Sequence, residues 1–152
     1  MDANFFDFEI FAVPDSGATA DRGRGENARQ ILIVYELAEP DRQSELEAFL
    51  GRVLKAAKID PAKDIKLINL TTLERISCSG LQRSLPFRYL INFGLPPRRL
   101  GLNLELPLYR PVAHNGAYLL FSERLDLIYE ERQSGGKDHS SALWKALQEL
   151  FL

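Results

Sequence analysis

Hydrophobic and polar positions change their period several times along the chain, and each change marks an element. Ile31-Leu32-Ile33-Val34-Tyr35 is a continuous apolar, largely β-branched run behind a polar stretch. That pattern predicts a strand buried on both faces of a parallel or mixed sheet. Pro40 to Glu45 then supplies turn and helix-start residues, and Leu46, Phe49, Leu50, Val53, Leu54 and Ala57 follow at spacings of three and four. The spacing predicts an amphipathic helix that buries one face. It ends near Lys58-Ile59-Asp60-Pro61, because proline disfavours helical geometry in the residue before it. Ile65 to Leu70 is the next strand, so strand, helix and strand form a βαβ unit with a right-handed crossover and parallel pairing.

Downstream the periods are shorter. Leu73 to Leu85 reads as a short helix and loop, Tyr89 to Phe93 as a third strand stopped by Gly94, and Leu102 to Leu106 as a half-exposed strand. Tyr118 to Phe121 is either a last strand or the start of a passage into a helix, and Leu125 to Ile128 is a helical turn. After the polar loop Gln133 to His139, Ser140 or Ser141 is an N-cap candidate for a closing helix striped by Leu143, Trp144, Leu147, Leu150 and Phe151. The fold class that follows is α/β.

Ahead of the first core strand the chain divides in two. Residues 1–13 are dense in aromatics, with Phe6, Phe8 and Ile10 alternating with Asp7 and Glu9. Residues 14–30 hold too few apolar side chains to offset the entropy of ordering them and read as a polar linker. The aromatic segment is either an edge strand or packing arm of the same domain, or a motif whose Phe5, Phe6, Phe8, Ile10 and Phe11 dock on a partner. Residues 31–152 form a single α/β domain, since 152 residues suffice for one sizeable core and not for two.

Composition narrows the function classes. With 19 basic and 21 acidic side chains the net charge is −2, so any contact with nucleic acid has to come from a local patch. Cys78 is the one cysteine, which excludes an internal disulfide and any cysteine-built metal or iron–sulfur site. Neither a secretory leader nor an apolar run of membrane-spanning length is visible, and a soluble, cytoplasmic protein is expected.

Chemistry-bearing residues are sparse. His114 lies beside Asn115-Gly116, a tight-turn pair, with no carboxylate neighbour to set its pKa, and His139 lies in the polar loop. Asp126, Glu130 and Glu131 have Arg124 and Arg132 nearby, as on a solvated charged face. Ser77-Cys78-Ser79-Gly80 lacks the flanking glycines of a nucleophile elbow. Dinucleotide-binding, phosphate-loop and zinc-protease motifs are missing, so no catalytic residue, metal or cofactor is assigned. Arg98-Arg99, with Arg83 and Arg88 upstream and Phe87, Tyr89 and Phe93 interleaved, is the nucleic-acid candidate, because arginines hold phosphates and aromatics stack bases.

Leu50 to Asp60 followed by Ile65 to Leu70, and Ser140 to Leu150 with Trp144 and Leu147, resemble the helix, turn, strand and closing helix of the uracil-DNA glycosylase fold. The resemblance covers about 120 residues and implies a three-layer sandwich around a short, mostly parallel sheet. Where that family carries its water-activating loop and its His-Pro-Ser type loop, this chain has Glu36-Leu37-Ala38-Glu39-Pro40 and Tyr118 to Glu123, and neither matches. The plan of arm, linker, strand, helix, strand and a Leu143-Trp144 helix is similar to the psi subunit family of the DNA polymerase III holoenzyme, a catalytically degenerate branch of that fold.

That resemblance implies a non-enzymatic interaction subunit, an accessory factor of DNA replication whose partners are clamp-loader subunits. Two alternatives stand beside it. One is a DNA-binding or active glycosylase-like repair protein that uses Glu36 and His114; the other is an interaction protein unrelated to DNA.

Overall fold

The computed structural model of the chain describes residues 22–71, 76–102 and 105–152. The aromatic segment 1–13, with Phe5, Phe6, Phe8, Ile10 and Phe11, lies outside them. Among the described residues five strands form one sheet: β1 (Ile31–Glu36), β2 (Ile65–Leu70), β3 (Tyr89–Phe93), β4 (Val112–His114) and β5 (Ala117–Ser122), in the order β2-β1-β3-β5-β4. All pairs are parallel except β4 with β5. The Asn115-Gly116 pair turns that hairpin, with φ of 49° and 82°, the left-handed values that a two-residue hairpin loop demands.

Four α-helices accompany the sheet among the described residues: α1 (Gln43–Ala56), α2 (Cys78–Ser84), α3 (Leu125–Gln133) and α4 (Asp138–Phe151). The pleat of β1 sorts them into layers. Ile31, Ile33 and Tyr35 point into a cluster with Leu46, Leu50 and Leu54 of α1, Ile128 of α3 and Leu143 and Leu147 of α4. Leu32 and Val34 point the opposite way, into a cluster with Leu81 of α2, Phe87, Leu100 and Leu102. Both faces of β1 are thus buried, as its unbroken apolar run requires.

Local chemistry sets the ends of α1. The short 3-10 turn Pro40–Arg42 leads straight into it. At its far end Lys58 takes φ +63°, the Lys58 amide donates to the Lys55 carbonyl at 3.0 Å and the Ile59 amide to the Leu54 carbonyl at 2.9 Å. This is a Schellman closure with lysine where glycine is usual, and buried Ile59 and Leu54 supply its apolar contact.

Several boundaries differ from the sequence reading. Residues 24–29 of the polar linker run along β2: Arg24 and Leu67 exchange backbone hydrogen bonds of 3.0 and 2.8 Å, and the amides of Glu26, Asn27, Ala28 and Arg29 donate to carbonyls of residues 62–65. Their docking is through backbone, which side-chain polarity does not reveal. A strand at Leu102 to Leu106 is not seen, for 105–107 are irregular and 103–104 lie outside the described residues; the edge strand is β4 instead. Helix α4 starts at Asp138 rather than after Ser140 or Ser141, because the Glu131 carboxylate accepts the His139 amide at 2.9 Å and caps the helix from outside.

Candidate functional site

Strand β1 connects leftward to β2 while β3 lies on its other side, so the point where the connections diverge is beyond the carboxyl ends of β1 and β3. Open α/β sheets take ligands there. In this chain the polar groups at that place hold loops together. Arg99, in the 3-10 turn Pro97–Leu100, donates to Glu36 at 2.7 Å and to the Thr71 carbonyl at 2.7 Å. One arginine thereby ties the ends of β1 and β2 to the loop after β3. Asn92 is fully buried; its amide donates to the Leu95 carbonyl at 2.6 Å and its oxygen accepts the Leu95 amide at 3.3 Å. Gly94 between them has φ +93°, and a Cβ there would stand 2.9 Å from Arg124 Cα.

Arg98 and Arg99 do not face the same way. Neighbours in a turn of three residues project about 120° apart, so Arg98 is exposed while Arg99 is drawn inward to Glu36. Of the interleaved aromatics, Phe87 and Phe93 are core residues, while half-buried Tyr89 stacks on exposed Tyr118 with ring centroids 6.1 Å apart. Glu36 and His114 are kept apart by topology. His114 sits level with Ala117 at the amino end of β5, whereas Glu36 lies one step beyond the level of Ser122 at its carboxyl end. Six strand steps, roughly 20 Å, separate them along the strand direction.

The remaining candidates have structural occupations. Ser77 is the N-cap of α2 and accepts the Gly80 amide at 3.1 Å. Cys78 is buried beside it, and burial pushes its thiol up to about 11, away from nucleophilic ionisation. His139 lies on the first turn of α4 and not in a loop; its Nδ1 is hydrogen bonded to the Tyr109 hydroxyl at 2.9 Å. Asp126 binds Arg124 at 3.0 Å and Glu130 binds Arg42 at 2.6 Å. Among the described residues no group of three or more His, Cys, Asp or Glu could hold a metal ion, and no helix is long and apolar enough to cross a membrane.

One cluster that the sequence does not signal joins three distant segments. The buried Tyr35 hydroxyl donates to Glu47 Oε2 at 2.5 Å, Arg24 spans both carboxylate oxygens at 2.8 and 2.5 Å, and Gln43 adds a 3.3 Å contact. Burial works against ionisation of Glu47, but the bonds from Arg24, Tyr35 and Gln43 outweigh it and hold its pKa below the ordinary glutamate value. Burial, then the bond to Glu47, moves the Tyr35 phenol well above its ordinary value.

The other unforeseen feature is a groove of about 410 Å³ on the helical face. Phe49, Arg52, Val53 and Ala56 line it from one stripe of α1, Arg132 from the end of α3, and Ser140, Ser141 and Trp144 from the start of α4. A smaller depression of about 200 Å³ adds Tyr129 and Gln133 and shares Phe49, Arg52 and Arg132. Spacing of 49, 52, 53 and 56 is itself helical, but Phe49 and Val53 merge with the core stripe in the sequence, and only the placement of α3 and α4 opens a groove beside them. No family model matches the chain, and no curated protein matches it.

Proposed function

We propose that the chain is a non-catalytic protein-interaction subunit. The observation that carries this reading is the use made of the crevice beyond β1 and β3: Arg99, Glu36 and Asn92 are committed to one another and to backbone groups. A catalytic site needs polar groups aimed at a reacting atom, and here they are aimed at loops. A concavity with a mainly apolar lining and arginine at its rim lies on the helical face, where a protein segment fits better than a reaction centre.

The sharper form of the proposal is an accessory factor of DNA replication with a uracil-DNA glycosylase-like fold, similar in role to the psi subunit, with clamp-loader subunits as partners. It is supported by the resemblance of the 50–60, 65–70 and 140–150 segments and by a sheet of mostly parallel strands with helices on both faces. Affinity purification of the tagged full chain from its own cells, beside a chain lacking residues 1–13, tests it. Clamp-loader subunits recovered with the full chain alone would support the replication role and place the contact in residues 1–13. Recovery of no stable partner with either chain, together with uracil release from DNA by the purified protein, would replace this proposal with the repair-enzyme alternative.

A further inference from the structure

The helical-face groove has an apolar wall and an unmatched charge. Phe49, Val53, Ala56 and Trp144 supply the wall, and all but Phe49 are only partly covered or exposed. Arg52 and Arg132 stand at the rim, both exposed. Arg52 lies over the Phe49 ring at 6.0 Å, a contact that leaves its N–H groups outward. Neither arginine forms an ion pair within the described residues, although Arg24, Arg42, Arg99 and Arg124 all do. Glu131, beside Arg132 in α3, accepts the His139 amide through one carboxylate oxygen and forms no ion pair with either arginine. Ser140 and Ser141 add hydroxyls at the α4 end, so the groove offers donors around an apolar floor.

Two unpaired guanidiniums flanking aromatic and aliphatic surface are complementary to a ligand of opposite sign with an apolar anchor. Arginine and tryptophan are also the side chains that dominate binding energy in protein interfaces. We infer that the groove between α1, α3 and α4 is the docking site for an acidic peptide segment of a protein partner, which lays a large apolar side chain against Trp144 and Val53 and sets carboxylates on Arg52 and Arg132. The inference rests on the interaction-subunit reading and adds to it the place of contact and the chemistry of the partner. Rim charge of this kind governs association rate and salt dependence, while the anchor in the groove governs residence.

Trp144 is the one tryptophan in the chain, so its emission reports occupancy directly. The probe is a synthetic peptide carrying one phenylalanine and one leucine among glutamates and aspartates, titrated into the full chain. Its controls are the same peptide with both apolar residues replaced by alanine and a version with lysine at every acidic position. Saturable change in Trp144 emission with the acidic apolar peptide alone, weakened by salt, is expected. Arg52→Ala with Arg132→Ala should reduce affinity roughly tenfold. Arg52→Glu with Arg132→Glu should transfer binding to the lysine peptide, a rescue that a merely unfolded variant cannot give.

No change in Trp144 emission, or equal binding of all three peptides, would overturn the inference. So would a dimer in sedimentation that the double charge reversal dissociates, since the occupant would then be a second copy. The purification from cells separates this failure from that of the broader reading. Partners retained by the Arg52→Glu, Arg132→Glu chain would sink the groove and leave the interaction subunit standing.

Discussion

Tyr35 reaches out of the centre of the sheet to donate its hydroxyl hydrogen to Glu47, twelve residues later in α1, at 2.5 Å. The same carboxylate receives Arg24 in both its oxygens, from the segment that lies along the edge of β2. One ionised group therefore fastens the strand, the helix and the approach to the domain.

Tyr35→Phe removes one donor from a half-buried carboxylate that keeps its other partners. We expect a loss of about 1–2 kcal/mol, toward the lower end for hydrogen bonds to charged groups because Arg24 is half exposed. Urea unfolding should show a lower midpoint at unchanged slope. A midpoint equal to that of the parent chain would mean that the bond contributes nothing net.

The pH dependence has a definite sign. A carboxylate whose folded pKa is depressed contributes stability above its unfolded value, and that contribution is lost as pH falls through the folded pKa. For Glu47 the loss begins near pH 4.5 and continues downward. Tyr35 acts on the other side: its raised pKa contributes stability that is present below pH 10 and is lost above it. Glu47→Gln should flatten the acid limb of a stability-against-pH curve, and an acid limb as steep as the parent's would show that other carboxylates account for it.

Arg99 and Glu36 should behave as a coupled pair. Their side chains are 16% and 15% exposed, against 47% and 20% for Arg124 and Asp126. Partial desolvation strengthens the first pair, and Arg99 also holds the Thr71 carbonyl. A double-mutant cycle with Glu36→Ala and Arg99→Ala should give about 1–3 kcal/mol of coupling, and the corresponding cycle on Arg124 and Asp126 about 0–1 kcal/mol. Equal couplings would remove the case for a closed crevice.

Lys58 occupies a left-handed conformation that costs a β-carbon-bearing residue roughly 1 kcal/mol. Lys58→Gly should raise stability by about 0.5–1 kcal/mol, the relief being partly offset by the greater freedom of glycine when unfolded. Thermal denaturation measures it, and a lower midpoint would show that the lysine side chain makes a contact worth more than the strain.

Cys78 should resist modification. The residue is 7% exposed and burial pushes its pKa up to about 11, so little thiolate is present at neutral pH. Labelling by a disulfide reagent should proceed at the rate of opening of the domain and rise steeply with denaturant. Fast labelling of the native protein would show that a cavity of about 340 Å³, lined by Cys78, Gln82 and His114 among others, admits the reagent without opening of the domain.

By itself the sequence determined the elements whose burial is set along one stretch of chain. The run at Ile31–Tyr35 could only be a central strand, the stripe at Leu46, Phe49, Leu50 and Leu54 could only be a helix against it, and Asn115-Gly116 could only turn tightly. These follow from side-chain period and backbone sterics, which are local. What the tertiary structure decided is which polar groups meet: Arg99 with Glu36 across 63 residues, Arg24 with Glu47 across 23, and His139 with Tyr109 across 30. Arginine, glutamate and histidine look alike on a solvated face and in a buried pair, so their roles depend on long-range placement. The groove beside Trp144 has the same origin, since a helix's second face acquires a shape only from the neighbours that stop short of covering it.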